Sequence, residues 1–191
     1  MEILILGPQG SGKGTQAKRV ASEYGFAHIA TGDILRAAVA AGTELGRRVQ
    51  PILEAGELVP DELMIELIRG RLDEPDAAEG FVLDGFPRTL VQAEALDAML
   101  AEIDRPLVVV FEFLIADDIC IQRLLARASL EGRTDDTPDA IAKRLALYHE
   151  LTAPVVEHYR TTGRLVGIHA DRTEDEVFLE LQAALERAGV A

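Results

Sequence analysis

GPQGSGKGTQ, residues 7–16, directly follows the apolar run Ile3, Leu4, Ile5 and Leu6 and opens a segment of helical character from Gln16 to Tyr24. A strand that ends in a glycine-rich turn and feeds a helix leaves several backbone N–H groups pointing into one hollow at the helix's positive end. Such a hollow fits a phosphate. Gly7 and Gly12 keep the spacing of the phosphate-binding loop Gly-x-x-x-x-Gly-Lys, Gly10 and Gly14 add room for close backbone approach, and Lys13 can reach the outer phosphates of a nucleotide. Gly14 stands where a hydroxyl usually follows the lysine, so Thr15 is the expected magnesium-side oxygen. The plainer reading, a strand-to-helix turn that binds nothing, is disfavoured because strand, spacing, lysine and helix coincide as phosphate binding requires.

Outward from this loop, 191 residues with 48% hydrophobic content suffice for a full core and read as one domain. No apolar stretch approaches the roughly 18 to 20 residues that span a bilayer, and Met1-Glu2-Ile3 carries no basic segment ahead of its short apolar run, so a cytoplasmic protein is expected. The single cysteine, Cys120, cannot make an internal disulfide or a cysteine zinc cluster, and reads as a small buried residue on a helix. A formal charge of −14 argues against nucleic-acid or anionic-membrane partners. Of the 19 basic residues all but Lys13, Lys18 and Lys143 are arginine. That bias suits bidentate grip on phosphate and equally suits a general compositional preference, so position has to decide.

Apolar runs alternate with amphipathic segments, with no repeat or low-complexity linker. Strands are expected at 2–6, 27–30, 80–84, 106–113 and 164–168, and helices at 13–24, 32–41, 44–55, 61–73, 89–102, 117–127, 138–161 and 174–188. This alternation implies an α/β fold with a parallel sheet covered on both faces, and ligands beyond the carboxyl ends of the strands. The phosphate loop, the turn after Ala30 and the turn after Leu83 all lie at such ends.

Two stretches interrupt the pattern: a helical excursion at 31–59 and the polar segment ASLEGRTDDT between Arg127 and Pro138. In Thr31-Gly32-Asp33, Thr31 or Asp33 is expected to cap a helix, and Arg36 one turn on is either a surface residue or a phosphate ligand. FVLDGFPRT, residues 81–89, delivers Asp84 to a strand end and projects Arg88 from the turn. A carboxylate there either holds magnesium's waters or is a paired buried acid.

Taken together, GPQGSGKGTQ, TGDILR, GELVPD, DGFPRTLVQ, GRTDD with Arg144, and YHELTAPVVEHY resemble the adenylate kinase family along nearly the whole chain. The resemblance implies a phosphate-loop kinase domain with a five-stranded parallel sheet, its core at 1–29, 60–126 and 138–191, an AMP-binding insertion at 30–59 and a short lid at 127–137. It implies magnesium-dependent phosphoryl transfer from ATP to AMP, giving two ADP, in a cleft lined by fixed cations.

On the same resemblance, Gly10, Ser11, Gly12, Lys13, Gly14 and Thr15 would hold ATP, with Arg123, Arg127, Arg133 and Arg144 around the donor and the transferring group. Arg172 would contact ATP through its backbone, although Asp171-Arg172 stands where many relatives carry glycine. Arg36 and Arg88 would take the AMP phosphate. Thr31, the backbone of Glu57, Leu58 and Val59, the turn Gly85-Phe86-Pro87, and Gln92 would complete the AMP site. Gln92 can both donate and accept, which matches adenine's N6 and N1. Thr15, Asp84 and Asp33 would lie near magnesium, mainly through water. The short lid lacks the cysteines that bind zinc in some relatives, so no zinc is expected.

Asp135 and Asp136 either pair with arginines of the insertions or are solvated loop acids. Arg47, Arg48, Arg105, Arg160 and Arg164 read as surface or ion-pair residues, and His28, His149, His158 and His169 as structural. A monomer is expected, since no unexplained apolar stripe demands a partner. A UMP/CMP kinase resembles the chain too, but typically has asparagine at the position of Thr89. A nucleotide sensor without turnover is the reading from another class.

Overall fold

Ile3, Leu4, Ile5 and Leu6 are buried because β1 (Glu2–Leu6) lies at the centre of a five-stranded sheet of order β2-β3-β1-β4-β5. In the computed structural model every residue is described except Gly132, Thr134 and Ala191, and at Glu131 only the backbone. Beside β1 stand β2 (Ala27–Ala30), β3 (Phe81–Asp84), β4 (Val109–Leu114) and β5 (Leu165–His169), every neighbouring pair parallel. A strand covered on both faces has no polar side, which is why β1 reads as a continuous apolar run. Its one charge near the start, Glu2, is buried and is met by Arg105 Nε at 2.6 Å.

Alternation along the strands sorts the core into two layers. Leu4, Leu6, Ile29, Leu83 and Val110 face α2 (Thr31–Ala40), α3 (Glu44–Glu54), α4 (Asp61–Leu72), α5 (Leu90–Glu102) and α8 (Ala153–Thr161). Ile3, Ile5, Val82 and Phe111 face α1 (Lys13–Tyr24) and α9 (Glu174–Arg187). A smaller cluster of Cys120, Leu124, Ile141 and Leu145 joins α6 (Asp117–Glu131) to α7 (Pro138–Leu147). Threonine side chains accept the exposed N–H groups at the starts of α3, α5, α7 and α9, and Thr173 with Glu176 forms a full capping box.

The strands and helices fall where the sequence puts them, with four physical corrections. Thr31 does not cap α2; its hydroxyl donates to the Asp84 carbonyl at 3.4 Å, while Asp33 bonds Arg36. β4 begins at Val109 and not at 106, since Pro106 has no N–H to give a ladder. The expected helix 138–161 is interrupted by a π-helical turn, Tyr148–Thr152, just ahead of Pro154, whose missing N–H cannot continue an α ladder. Finally, α6 runs to Glu131, so the first five residues of the segment expected as a polar lid are helical. Ala126 to Glu131 are nearly all good helix formers, which outweighs their polarity. Gly132 and Thr134 of that segment lie outside the described residues.

The excursion at 31–59 is largely a pair of close helices. At Gly46 a Cβ would overlap the Ala38 carbonyl, so α2 and α3 approach to backbone contact. Gly46→Ala is therefore expected to destabilise the protein by about 2 kcal/mol through overpacking, a fall of roughly 4 to 8 °C in Tm for a chain of this size. Thermal unfolding followed by circular dichroism checks this; an unchanged Tm contradicts so tight a crossing.

Candidate active site

The carboxyl ends of β1, β2, β3 and β5 open on one cavity of about 730 Å³. Its floor is the phosphate loop. Gly12, at φ 90°, occupies the left-handed region as the N-cap of α1, and this turns the following N–H groups inward. Ser11 Oγ is buried without a hydrogen-bond partner, as are Gln9 Oε1 and Gln16 Oε1. The Ser11 hydroxyl can donate to a ligand's oxygens, while the two amide oxygens, which only accept, call for donors such as bridging waters.

Lys13 folds back over this loop and donates from Nζ to the Pro8 carbonyl at 2.8 Å. Burial lowers its ammonium from an ordinary 10.5 to about 8, partly opposed by Asp84 and reinforced by the charges of Arg88 and Arg127. Asp84 comes so close that a Cβ on Gly14 would sit 3.3 Å from its Oδ2, which accounts for glycine where a hydroxyl is usual. Arg88 projects from the turn after β3, its Nε donating to the Gly85 carbonyl at 2.8 Å. Burial lowers the Arg88 guanidinium from its ordinary value; Asp84 opposes this, and Arg144 and Arg36 add to it. Thr152, in the π turn, donates to the Arg88 carbonyl at 2.9 Å and anchors the turn from behind.

On the opposite wall α6 presents Arg123 and Arg127 one turn apart. Arg123 Nη1 donates to the Ala170 carbonyl at 3.0 Å, tying α6 to the end of β5. Arg127 donates from Nε and Nη2 to Asp136 Oδ2 at 3.0 and 2.7 Å. Arg144 takes the other oxygen of Asp136 at 2.7 Å, and also Asp135 at 2.8 Å and the Leu53 carbonyl at 2.9 Å. Asp136 has no exposed side-chain surface. At Asp135 burial raises the carboxyl, but the hydrogen bond and charge of Arg144 prevail and hold it below its ordinary range. At Asp33 the same contest is won by Arg36, 2.6 Å away.

Nine Lys and Arg residues line the cavity against five Asp and Glu, so the cavity carries positive charge in a protein whose total is −14. Two like charges about 4 Å apart repel by roughly 4 kcal/mol at an effective dielectric of 20. The paired acids keep these cations together. A carboxylate beside the loop and the exposed Thr15 hydroxyl are hard oxygen donors, few in number, which fits a magnesium ion arriving on a nucleotide. Among the described residues no cluster of three or more His, Cys, Asp or Glu could hold a metal by itself.

Of the residues expected at the site, all but two line this cavity, including Thr31, Arg36, Glu57, Leu58, Val59, Gly85, Gln92, Arg133 and Arg172. Phe86 and Pro87 do not. Phe86 is wholly buried in the core, and with Pro87 it borders a separate hollow of about 40 Å³. Arg172 reaches Glu180 at 3.5 Å. Asp136 is no solvated loop acid, and Arg105 and Arg160 make ion pairs as expected. His149, His158 and His169 pair with Asp117, Asp97 and Glu180. His28 departs from the structural reading, since it lines the cavity with a buried Nε2 that has no partner. Leu35, Leu53 and Met64 line it too and were not foreseen, because apolar residues at helical spacing look like core.

The adenylate kinase family profile matches residues 5–164. An adenylate kinase of Thermus thermophilus is 49% identical over 183 residues, 96% of each chain. One of Stenotrophomonas maltophilia is 44% identical over 186 residues, covering 97% of this chain and all of its own. One of Xanthomonas campestris is 43% identical over 187 residues, 98% of this chain and all of its own.

Anionic phosphate beside Lys13 will raise its lowered pKa, so nucleotide binding near pH 8 is expected to take up a proton, and affinity for ATP to fall as pH rises through about 8. Titration calorimetry in two buffers of different ionisation enthalpy measures the uptake. Zero uptake at pH 8 would show that Lys13 is already fully charged in the free protein.

Proposed function

The chain belongs to the adenylate kinase family, and from that premise we propose how its own residues divide the work of moving a phosphoryl group from ATP to AMP. It is an ATP:AMP phosphotransferase, and neither a UMP/CMP kinase nor a sensor without turnover is favoured. The observation that carries the division of roles is the convergence of Lys13, Arg36, Arg88, Arg123, Arg127, Arg133 and Arg144, from distant parts of the sequence, on one cavity.

Phosphoryl transfer demands alignment and charge neutralisation more than covalent help. On the donor side, the loop amides from Gly10 to Thr15 and Lys13 cradle the ATP phosphates, with Arg123 and Arg127 reaching from α6 and the backbone at Arg172 bordering the adenine. On the acceptor side, Arg36 and Arg88 hold the AMP phosphate, Thr31, Gly85 and the backbone of Glu57, Leu58 and Val59 frame the nucleoside, and Gln92 reads the base. Arg133 and Arg144 lie between the two and take charge that develops on the group in flight. Thr15 and Asp84 would hold, mainly through water, a magnesium ion arriving with ATP, and that ion would supply neutralisation of phosphate charge. Asp33 is held by Arg36 and would face a magnesium ion only through water.

Residues 30–59 and 127–137 act as the AMP-binding flap and the lid, closing to keep out water that would compete as acceptor. The expected monomer rests on the absence of an unexplained apolar stripe in the sequence. A lone buried cysteine, whose thiol burial pushes above its ordinary range, suits the reducing cytoplasm.

Three outcomes test this reading. With ATP and magnesium, AMP is expected to yield ADP far faster than UMP or CMP yields its diphosphate, measured by analysis of both products; comparable rates would contradict adenine selection. Arg88→Ala is expected to lower kcat at least about 100-fold, the scale of a lost transition-state contact. Lys13→Met should abolish turnover while leaving thermal unfolding nearly unchanged, and a large fall in Tm would assign Lys13 a structural role instead.

A further inference from the structure

Asp61 opens α4 outside the cavity's lining, yet its carboxylate holds two residues of the segment that follows β3. Asp61 Oδ1 accepts from the Thr89 hydroxyl at 3.0 Å and from Gln92 Nε2 at 2.8 Å. At the other end of the same amide, Gln92 Oε1 accepts the Arg88 backbone N–H at 2.7 Å. Gln92 is buried but borders the cavity.

An amide offers two N–H donors at nitrogen and two lone pairs at oxygen. One of each is taken here, and the partners decide which end is which. An ionised carboxylate can only accept and a backbone N–H can only donate. A turned-over amide would set oxygen against oxygen at Asp61 and N–H against N–H at Arg88, losing two bonds and gaining two repulsions. What remains for a ligand is one lone pair at Oε1 and one N–H at Nε2, in an order that cannot be exchanged.

We infer that Asp61 is a positioning residue for base selection: by fixing the Gln92 amide it makes the AMP site read a 6-aminopurine and reject a 6-oxopurine. The inference rests on the reading that Gln92 meets the AMP base. Adenine presents a donor at N6 beside an acceptor at N1. A 6-oxopurine such as hypoxanthine presents the reverse, an acceptor at O6 beside a donor at N1, and would be served by the amide only after it turns over. Asp61 removes that freedom.

The test compares AMP with inosine monophosphate, at saturating ATP and magnesium, in the parent protein and in Asp61→Ala, Asp61→Asn and Gln92→Ala. Asp61→Ala is expected to reduce the AMP-to-inosine-monophosphate ratio of kcat/KM about tenfold, the worth of a hydrogen bond to a charged group. The change should lie mainly in KM for AMP, with KM for ATP unmoved. Asp61→Asn, whose Oδ1 still accepts, restores most of the ratio. A merely structural role would lower both substrates together and leave the ratio where it was, and that outcome overturns the proposal. A ratio that falls in Gln92→Ala but not in Asp61→Ala also overturns it while sparing the role of Gln92. A ratio unmoved in Gln92→Ala overturns the reading beneath it. Should thermal unfolding show Asp61→Ala unfolded at the assay temperature, Asp61→Ser, too short to reach Gln92, takes its place with the same expectations.

Discussion

The molecule depends on keeping like charges close together without letting them fly apart. Asp136 shows how this is done: one carboxylate, shut off from solvent, holds Arg127 by one oxygen and Arg144 by the other. Removing one partner from such a buried set leaves a charge without compensation, which is strongly destabilising, so the arginines and their acids have to be understood as a unit. Asp135 and Asp33 extend the arrangement to the rest of Arg144 and to Arg36. The sheet supplies the frame for this, since parallel strands deliver the loops after β1, β2, β3 and β5 to one edge.

That edge is also where the acidity of the whole protein stops mattering. A formal total of −14 opposes anions at a distance, yet the cavity is locally cationic. Anions that enter do so against the overall field and meet a favourable one only inside. Arg88 and Lys13 stand half-buried, which strengthens the attraction such groups exert on an anion; the lowered pKa values of both follow from the same loss of water.

Much of this was visible in the amino-acid order. The β1 run and its glycines define both a central strand and a phosphate hollow, because burial on two faces and the need for N–H groups at a helix start leave few other sequences possible. Period and cap residues place the ends of most helices to within a residue or two. What stayed hidden depends on contacts across the chain. That α6 carries on to Glu131 reflects helix propensity outweighing a polar composition, and the break at residues 148–152 follows from one missing N–H in an otherwise helical pattern. Phe86 sits inside a motif that looks wholly functional, but the core claims its ring. His28, Leu35 and Met64 line the cavity from strand and helix positions indistinguishable by periodicity from ordinary core.

The widened turn at Tyr148–Thr152 has a bearing on how this chain can vary in length. A π turn holds one residue more than an α turn and winds each residue through a smaller angle, so excising one residue there would restore regular α geometry while leaving the helix beyond it close to its present rotation. Val155, Val156 and Tyr159 would keep their places in the core, whereas Thr152, inside the turn, would lose its hold on the Arg88 carbonyl. Shortening by a single residue at that point would spare the core and loosen the turn that carries Arg88. Chain length at the joint of α7 and α8 and the seating of Arg88 are thus coupled through one hydroxyl.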